Sequence, residues 1–395
     1  MVITNDIKYV GVNDHDIDLF EGHYIVPEGM AYNSYVICDE KTCVMDSVDA
    51  NFTDEWIENV KEVLGGKDPD YLVVQHMEPD HSGSLKAFMD EFKTATIVSS
   101  QKAFTMMGNF LEGEEFADRR EVVKEGDTLE LGSHTLSFIA APMVHWPEVI
   151  MTYDAKDKVL FSADAFGRFG ALDEIGETVK EDDDWACEAR RYYFGIVGKY
   201  GMQAQAVLKK TANLDIEQIC SLHGPIINED LGYYLGIYDT WSKYDSESQG
   251  VVIAYTSVYG HTKKAVEMLA EKLKELGVPR VEATDLARDD MAEAVEDAFR
   301  HDTVVFATTT FNNDVFPFMR EFIHSLVERN FQKKRVAFIE NGSWAPVAGK
   351  VMKGMLEGCK ELTYAENEVK IVSALNDESR AQIDALAKEL AATYK

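Results

Sequence analysis

Residues 71–83, YLVVQHMEPDHSG, pass from an apolar segment directly into a dense group of side chains that bind metals. The apolar start predicts a buried strand. The potential ligands follow within residues 76–81: His76, Glu78, Asp80 and His81. Four such side chains in a loop at a strand end favour a metal centre over a group of surface charges.

Further candidate ligands occur downstream, each in a loop beside a predicted strand: His145 in APMVHWP, Asp164 in LFSADAF and His223 in SLHGP. With the opening stretch they make seven side chains, enough for two metal ions that share one carboxylate. The acidic run EDDD at 181–184 lacks the spacing and the glycine of a calcium loop, so we expect a solvated stretch. We expect structural roles for the remaining histidines, which lack such neighbours: His15, His23, His134, His261, His301 and His324.

The composition limits the possible functions. The 395-residue chain has 39 Lys and Arg against 70 Asp and Glu, and its formal charge of −31 disfavours nucleic-acid binding. Its five cysteines form no CxxC pair, which argues against a disulfide framework, a cysteine zinc site and a rubredoxin-type iron site. Without a long apolar run or a signal-peptide pattern, we expect a soluble cytoplasmic protein with no membrane partner.

The pattern of predicted elements changes at residues 243–250, KYDSESQG, a polar segment that ends in glycine. Before it, short strands and helices interleave and then give way to β-rich sequence. After it, five predicted strands alternate with five predicted helices, which indicates one doubly wound parallel sheet. We therefore predict two α/β domains, a metal-binding domain at 1–248 and a second domain at 249–395.

Three predicted strand ends of the second domain could form a ligand site: TSVYGHT at 256–262, TTTFNND at 308–314 and NGSWAP at 341–346. The first loop opens a helix whose N–H groups can hold a phosphate, and Gly260 permits its tight turn. It matches neither GxxxxGK[ST] nor GxGxxG, so a single phosphate fits better than a triphosphate or a dinucleotide.

Aromatic residues in these loops, Tyr259, Phe311 and Trp344, can stack on a flat ring system. The candidate cofactor-binding residues are Thr256, Ser257, Val258, Tyr259, Gly260, His261, Thr262, Thr308, Thr309, Thr310, Phe311, Asn312, Asn313, Asn341, Gly342, Ser343 and Trp344. This second domain resembles flavodoxins, which implies that its ligand is FMN.

The first domain also resembles a known family. HMEPDH, followed by a lone histidine, an SADAF-type aspartate and an LHG histidine, is similar to the metallo-β-lactamase fold, whose zinc hydrolases carry a histidine at the position of Glu78. Both motif sets in this order resemble the flavodiiron proteins over essentially the whole chain. The resemblance implies an αββα sandwich with a non-haem diiron centre, followed by a flavodoxin-like sheet of five parallel strands.

The resemblance assigns roles by position. It implies that His76, Glu78 and His145 bind one iron, that Asp80, His81 and His223 bind the other, and that Asp164 bridges them. Such oxygen and nitrogen ligands can hold ferrous and ferric iron, whereas zinc offers no redox states. Two aromatic residues, Trp146 and Tyr193, are candidates either for lining the pocket or for core or interface packing.

The implied activity is reduction of dioxygen to water, of nitric oxide to nitrous oxide, or of both. The implied electron donor is a separate molecule, reduced rubredoxin or reduced coenzyme F420, since the chain ends soon after the flavodoxin-like part. A head-to-tail homodimer or dimer of dimers would bring one protomer's FMN near the other's irons. We expect a basic patch for an acidic donor at Lys263 and Lys264 or at Lys333–Arg335.

Two other functions fit the same sequence. The first is a metal-dependent hydrolase of the metallo-β-lactamase superfamily, with the flavodoxin-like domain as a passive attachment. The second is an electron carrier or redox sensor whose iron site is degenerate. All seven ligand positions are filled, which argues against the second alternative, whereas the identity of the bound metal separates the oxidoreductase from the hydrolase.

Overall fold

The computed structural model describes residues 1–113, 116–180 and 185–394. The chain divides into two compact units, Met1–Asp239 and Thr240–Lys395. The predicted domain limits, 1–248 and 249–395, stay a prediction. The EDDD stretch at 181–184, predicted to be solvated, lies outside the described residues.

The first unit combines short strands with helices. Its strands are β1 (Ile7–Tyr9), β2 (Val12–Asp14), β3 (Leu19–Phe20), β4 (Tyr24–Ile25), β5 (Met30–Tyr32), β6 (Tyr35–Ile37), β7 (Cys43–Met45), β8 (Tyr71–Val73), β9 (Thr96–Ser99), β10 (Arg120–Val122), β11 (Thr128–Glu130), β12 (Thr135–Ala140), β13 (Ile150–Asp154), β14 (Val159–Phe161) and β15 (Gln218–Cys220). Its helices are α1 (Thr53–Leu64), α2 (Pro79–Ser82), α3 (Leu85–Glu91), α4 (Gln101–Phe110), α5 (Leu172–Ile175), α6 (Trp185–Ile196), α7 (Gly201–Thr211) and α8 (Leu231–Ser242), the last of which runs past the division at Asp239.

Two mixed sheets form the centre of this unit. One has the strand order β1-β6-β7-β8-β9-β10 and the other the order β11-β12-β13-β14-β15. Their facing side chains share one apolar core, because each sheet must bury a face. Buried residues from both sheets contribute to it, among them Tyr35, Val73, Val98, Leu136, Phe138 and Phe161.

The helix α1 shows how the sequence pattern becomes packing. The sequence predicts a buried face of Trp56, Val60 and Val63, but the structure buries Trp56, Val60 and Leu64, with Val63 half-buried. The spacing of four residues keeps these side chains on one stripe of the helix. Trp56 packs on Phe88 of α3, with ring centroids 5.3 Å apart.

The second unit is a parallel sheet between helices. Its strands are β16 (Ser248–Tyr255), β17 (Val281–Asp285), β18 (His301–Phe311), β19 (Asp314–Val315), β20 (Arg335–Asn341), β21 (Thr363–Tyr364) and β22 (Val369–Ile371). Its helices are α9 (His261–Glu275), α10 (Met291–Arg300), α11 (Pro317–Glu328), α12 (Ala348–Met355) and α13 (Asp377–Ala391). Within the described residues, no helix of the chain is long and apolar enough to cross a membrane.

The strand order of this sheet is β17-β16-β18-β20, with β21 and β22 both pairing in parallel with β20. The first strand of the unit therefore lies inside the sheet, so the order reverses beside β16 and creates a crevice at the carboxyl ends of β16 and β18. The predicted α/β fold class is confirmed. The predicted final strand, KIVSAL at 370–375, appears as the shorter β22, and two short strands were not predicted: β21 before it, and β19, which pairs antiparallel with β18.

A buried lysine supports the second unit. Lys334 is 2% exposed, and its Nζ donates to the Phe299 carbonyl at 2.5 Å and to the His301 carbonyl and Ser246 Oγ at 2.8 Å. All three N–H groups of the ammonium are therefore used. The two carbonyls belong to the end of α10 and the start of β18, where helix carbonyls lack intrahelical donors.

We predict that Lys334→Met lowers the free energy of unfolding of the second unit by about 2–4 kcal/mol, because buried oxygens lose their donor. Hydrogen exchange of the β18 amides in the full chain measures this unit separately. Lys264→Met, the same change at an exposed position on α9, is the control, with an expected effect below about 0.5 kcal/mol. Equal protection of β18 in both variants would contradict the role of Lys334.

Candidate metal and flavin sites

The opening stretch places its ligands on two different elements. His76 follows β8, and Glu78 precedes the short helix α2, which begins at Pro79 and carries Asp80 and His81. The sequence predicts a loop here, but proline fits the first helical position and permits this turn. A Cβ on Gly83, at the end of α2, would lie 2.7 Å from the Ala50 nitrogen, so glycine is required there.

Loops at the same edge of the sandwich supply the other candidates. His145 lies between β12 and β13, Asp164 follows β14, and His223 follows β15. In one sheet β8 is parallel to β7, and in the other β15 is parallel to β14. The loops after β8, β14 and β15 lie at a common edge of the two sheets, so residues distant in sequence converge there. The structure brings all seven predicted metal ligands together, in two groups.

The first group contains His76, Glu78, His145 and Asp164. The Nε2 atoms of His76 and His145 are 3.2 Å apart. Glu78 Oε2 lies 3.2 Å from His76 Nε2 and 2.9 Å from His145 Nε2, and Asp164 Oδ2 is 2.9 Å from His145 Nε2. Ring nitrogens and carboxylate oxygens therefore point at one small volume.

The second group contains Asp80, His81 and His223. The Nε2 atoms of the two histidines are 2.9 Å apart, and Asp80 Oδ2 lies 3.2 Å from His223 Nε2. The other oxygen of Asp164, Oδ1, is 3.5 Å from His81 Nε2 and 3.8 Å from His223 Nε2. Asp164 thus faces both groups, one oxygen towards each.

The donor set fits a pair of metal ions. In the part of the chain that the structure describes, both oxygens of Asp80 and Oδ1 of Asp164 are buried without a hydrogen-bond partner. Buried carboxylate oxygens without partners are costly, and a cation removes that cost. Ligand bonds of about 2.1 Å place neighbouring ligand atoms about 3 Å apart, which matches the spacings in both groups.

In the first group, histidines and carboxylates shift each other's pKa values. Burial opposes protonation of His145, but Asp164 and Glu78 outweigh it and raise the pKa of His145 to about 9. Burial also opposes ionisation of Asp164, whereas His76 and His145 hold the pKa of its carboxyl well below the usual range. Without metal, protons on the histidines therefore balance the carboxylates.

Sequence reasoning missed two acidic residues beside the first group. Glu148 Oε1 lies 2.8 Å from His76 Nδ1, and both side chains are fully buried. Glu21, on the turn between β3 and β4, lies near Glu78; burial and that neighbouring charge raise the pKa of Glu21 to about 7. Glu148 stands three residues after His145 in HWPE, so its position in the sequence could have identified it as a neighbour of the metal ligands. Glu21 is distant in sequence, and only the fold brings it to the site.

The two predicted pocket aromatics differ in position. Trp146 packs on His76 and His145, with ring centroids 5.2 Å and 6.0 Å away. Tyr193 instead packs on Phe194 and Tyr238. Tyr192 is the tyrosine against the metal ligands, with its ring centroid 5.5 Å from that of His223. Adjacent residues on a helix point about 100° apart, so only one of the two tyrosines faces the metal ligands.

The flavin loops surround a cavity of about 650 Å³ in the second unit. Residues from all three predicted loops line it, including Ala345, which lies in the third loop but was not among the candidate residues, and Ser373, which lies outside these loops. Trp344 is 92% exposed and Tyr259 89% exposed, so both rings are available to a planar ligand. Among the described lining residues none is Lys, Arg, Asp or Glu, so a phosphate here depends on N–H groups, hydroxyls and the start of α9.

Three of the predicted cofactor residues do not line this cavity: Thr256, Gly260 and Thr308. Thr256 and Thr308 are buried, and their hydroxyls hydrogen-bond to each other at 2.6 Å, which ties the ends of β16 and β18 together. Gly260 has a φ of 85° and caps α9, so it shapes the loop through its backbone. These three residues therefore stabilise the strand ends and the loop around the cavity without lining it.

The structure contradicts one of the two predicted basic patches, the one at Lys333–Arg335. Lys334 is buried, Lys333 pairs with Asp245 at 2.8 Å, and Arg335 pairs with Glu389 at 2.9 Å. Those charges are already neutralised within the unit. Lys263 and Lys264, by contrast, are exposed in the first turn of α9, beside the flavin loops.

Comparisons with known proteins match both units of the chain to known families. The family described as ODP family beta lactamase matches residues 30–224, and the family described as flavodoxin domain matches residues 252–363. An uncharacterized protein of Methanocaldococcus jannaschii is 33% identical over 361 residues, which cover 89% of this chain and 88% of that protein. The flavodiiron protein of Giardia intestinalis has a TM-score of 0.90 and 26% identity, over 99% of this chain and 96% of that one. The chain belongs to the flavodiiron protein family.

Two further flavodiiron relatives carry names that state an activity. The anaerobic nitric oxide reductase flavorubredoxin of Escherichia coli is 28% identical over 87% of this chain and 72% of that protein. The rubredoxin oxygen:oxidoreductase of Desulfovibrio gigas has a TM-score of 0.91 and 26% identity, over 100% of this chain and 98% of that one. This flavodiiron protein is accordingly an oxidoreductase with FMN and a non-haem diiron centre as cofactors.

We predict that metal uptake by the metal-free protein releases protons. At pH 7 His145 is protonated because its pKa is about 9, and a metal ion requires the neutral imidazole. The apparent affinity for redox-inert zinc should rise about tenfold per pH unit and per displaced proton between pH 7 and 9. Calorimetric titrations in buffers of different ionisation enthalpy count the protons, and a flat affinity over this range would contradict the prediction.

We also predict that Trp344→Ala raises the dissociation constant for FMN about tenfold, because an aromatic stacking contact is worth about 1–1.5 kcal/mol. Quenching of FMN fluorescence measures the affinity. Trp344→Phe keeps a flat ring and should retain most of it. If FMN bound the alanine variant as tightly as the unchanged protein, Trp344 would have no stacking role.

Proposed function

We propose that this flavodiiron protein reduces dioxygen to water, nitric oxide to nitrous oxide, or both, with electrons that reach the diiron centre through FMN. The observation that carries the proposal is the pair of buried ligand groups that share Asp164. Such oxygen and nitrogen ligands hold iron in both redox states. The names of the relatives in E. coli and D. gigas support both gases.

The proposed ligands follow the two groups. One iron position is formed by His76, Glu78 and His145, the other by Asp80, His81 and His223, and Asp164 bridges them. Two ferrous ions and reduced FMN, when bound, together supply the four electrons that convert dioxygen to water, and two nitric oxide molecules need two. The proposed domain limits are 1–248 for the diiron part and 249–395 for the FMN part.

The protein's own side chains shape the space around these positions. Trp146 covers His76 and His145, while Phe20 and Tyr192 pack on His223, so aromatic rings keep bulk water from the ligands. The Tyr192 hydroxyl is buried and has no hydrogen-bond partner among the described residues. We propose that Tyr192, rather than Tyr193, donates a hydrogen bond to the substrate.

We further propose a separate electron donor, reduced rubredoxin or reduced coenzyme F420, and a cytoplasmic location. The name of the D. gigas relative, rubredoxin oxygen:oxidoreductase, supports rubredoxin. Lys263 and Lys264 remain the candidate contact for an acidic donor, since they are exposed beside the flavin loops. The proposed assembly is a head-to-tail homodimer or a dimer of dimers.

Side-by-side turnover of dioxygen and nitric oxide by the photoreduced, iron-loaded protein tests the proposal. We expect consumption of at least one gas, and a loss of about 100-fold or more in Asp164→Asn, which loses the shared carboxylate. Repeating the assay with rubredoxin and with reduced F420 identifies the donor.

Matched measurements separate this function from hydrolysis. Asp154→Asn removes a buried carboxylate that pairs with His134, away from the seven ligands, and should leave turnover within about twofold of the unchanged protein. Zinc in place of iron after expression, together with ester or thioester hydrolysis and no gas consumption, would overturn the proposal in favour of a hydrolase.

A further inference from the structure

The two metal positions have matching ligands but different surroundings. Each has two histidines and one carboxylate of its own, and Asp164 lies closer to the first position (2.9 Å from His145 Nε2) than to the second (3.5 Å from His81 Nε2). We propose that Glu148 is a positioning residue that acts through His76 and makes the first position, His76–Glu78–His145, the one that prefers the trivalent ion. The inference rests on the proposed ligand set and concerns the order in which its two positions are oxidised.

Glu148 contacts the first position directly behind one ligand. Its Oε1 accepts from His76 Nδ1 at 2.8 Å and from the Met77 backbone N–H at 2.9 Å. The side chains of both Glu148 and His76 are 0% exposed. This contact fixes the His76 tautomer, because a proton on Nδ1 leaves the Nε2 lone pair free for a metal.

Among the described residues, no carboxylate is hydrogen-bonded behind the histidines of the second position. His223 Nδ1 donates to the neutral carbonyl of Ala31 at 2.8 Å. His81 Nδ1 is buried and, within the described part of the chain, has no hydrogen-bond partner. Aromatic rings pack around His223, with centroids 5.4–6.1 Å away, those of Phe20, Tyr32 and Tyr192.

Other charged groups reinforce this difference. Asp46 accepts two hydrogen bonds from Gln75, the residue before His76, and lies behind the first position. On the second side, Asp14 bonds to the Tyr32 hydroxyl at 3.1 Å and is separated from His223 by that ring. Asp46 therefore adds a second carboxyl group on the side of His76 that faces away from the metal position.

A carboxylate bonded to a ligating imidazole makes that imidazole a stronger donor. Stronger donation and an additional buried negative charge favour the higher charge on the metal, because interactions in a dry site are weakly screened. The first position should therefore hold the ferric ion of a half-reduced centre, and the second position should accept the first electron. Both positions have the same types of ligand, so we assign this order to Glu148 behind His76, with the closer approach of Asp164 to the first position acting in the same direction.

Redox-inert metals test the order. Metal-free protein is loaded with one equivalent each of gallium(III), which stands for ferric iron, and zinc(II), which stands for ferrous iron. Anomalous diffraction at the two absorption edges then assigns each ion. We expect gallium between His76 and His145 and zinc between His81 and His223. The reverse order, or equal occupancy, overturns the inference.

Variants then assign the effect to Glu148. In Glu148→Gln the preference of gallium for the first position should fall about tenfold or more, the usual cost of losing a group that holds a ligand. Glu148→Asp keeps the charge and should retain more of the preference, which also guards against a glutamine variant that does not fold. An unchanged preference in both variants overturns the role of Glu148.

Asp154→Asn is the matched control, because Asp154 Oδ2 lies 3.0 Å from His134 Nδ1 and both side chains are buried. It should lower stability as Glu148→Gln does and leave the gallium preference unchanged. If this control changed the preference equally, the effect would be structural and the inference would fail. A protein that binds no pair of metals at these residues contradicts the proposed ligand set itself, whereas two bound metals without preference contradict only this inference.

Discussion

The first unit depends on the burial of carboxylates that only a cation can compensate. Asp80 and Asp164 sit at the edge of an apolar sandwich, and among the described residues both oxygens of Asp80 and Oδ1 of Asp164 have no hydrogen-bond partner. Isolated buried charges of this kind cost several kcal/mol, so they require either protons on neighbouring histidines or metal ions. The edge of the two sheets supplies four histidines at the right distance, which makes this cost recoverable when metal binds.

The second unit holds an anionic flavin rather than metal ions, and it uses different interactions. Its cavity contains no charged Lys, Arg, Asp or Glu among the described lining residues, so an anionic flavin is held by dipoles, hydroxyls and ring faces. The helix α9 begins at the cavity, and Thr256 and Thr308 tie the neighbouring strand ends together. A neutral pocket of this kind leaves the redox properties of the flavin to hydrogen bonds and stacking.

Much of what the sequence predicts correctly depends on residues that are close together in the chain. Metal ligands, flavin loops and the alternation of strands and helices are local patterns with a physical meaning of their own, and the seven ligands and the fold class were predicted in this way. Which of two adjacent, similar residues faces inward could not be predicted from the local sequence. Val63 and Leu64 are both apolar, Tyr192 and Tyr193 are both aromatic, and only packing decides which one faces inward.

The sequence by itself determined the ligand types, because HMEPDH and its three distant partners supply imidazole nitrogens and carboxylate oxygens, and its resemblance to the flavodiiron proteins implied iron. Tertiary structure alone decided what surrounds them. It brought Glu148 to His76, set aromatic rings around His223, and buried Lys334, a residue that seemed exposed in a basic run. These contacts join residues far apart in the chain, and their energies depend on desolvation and distance, which appear only when the chain is folded.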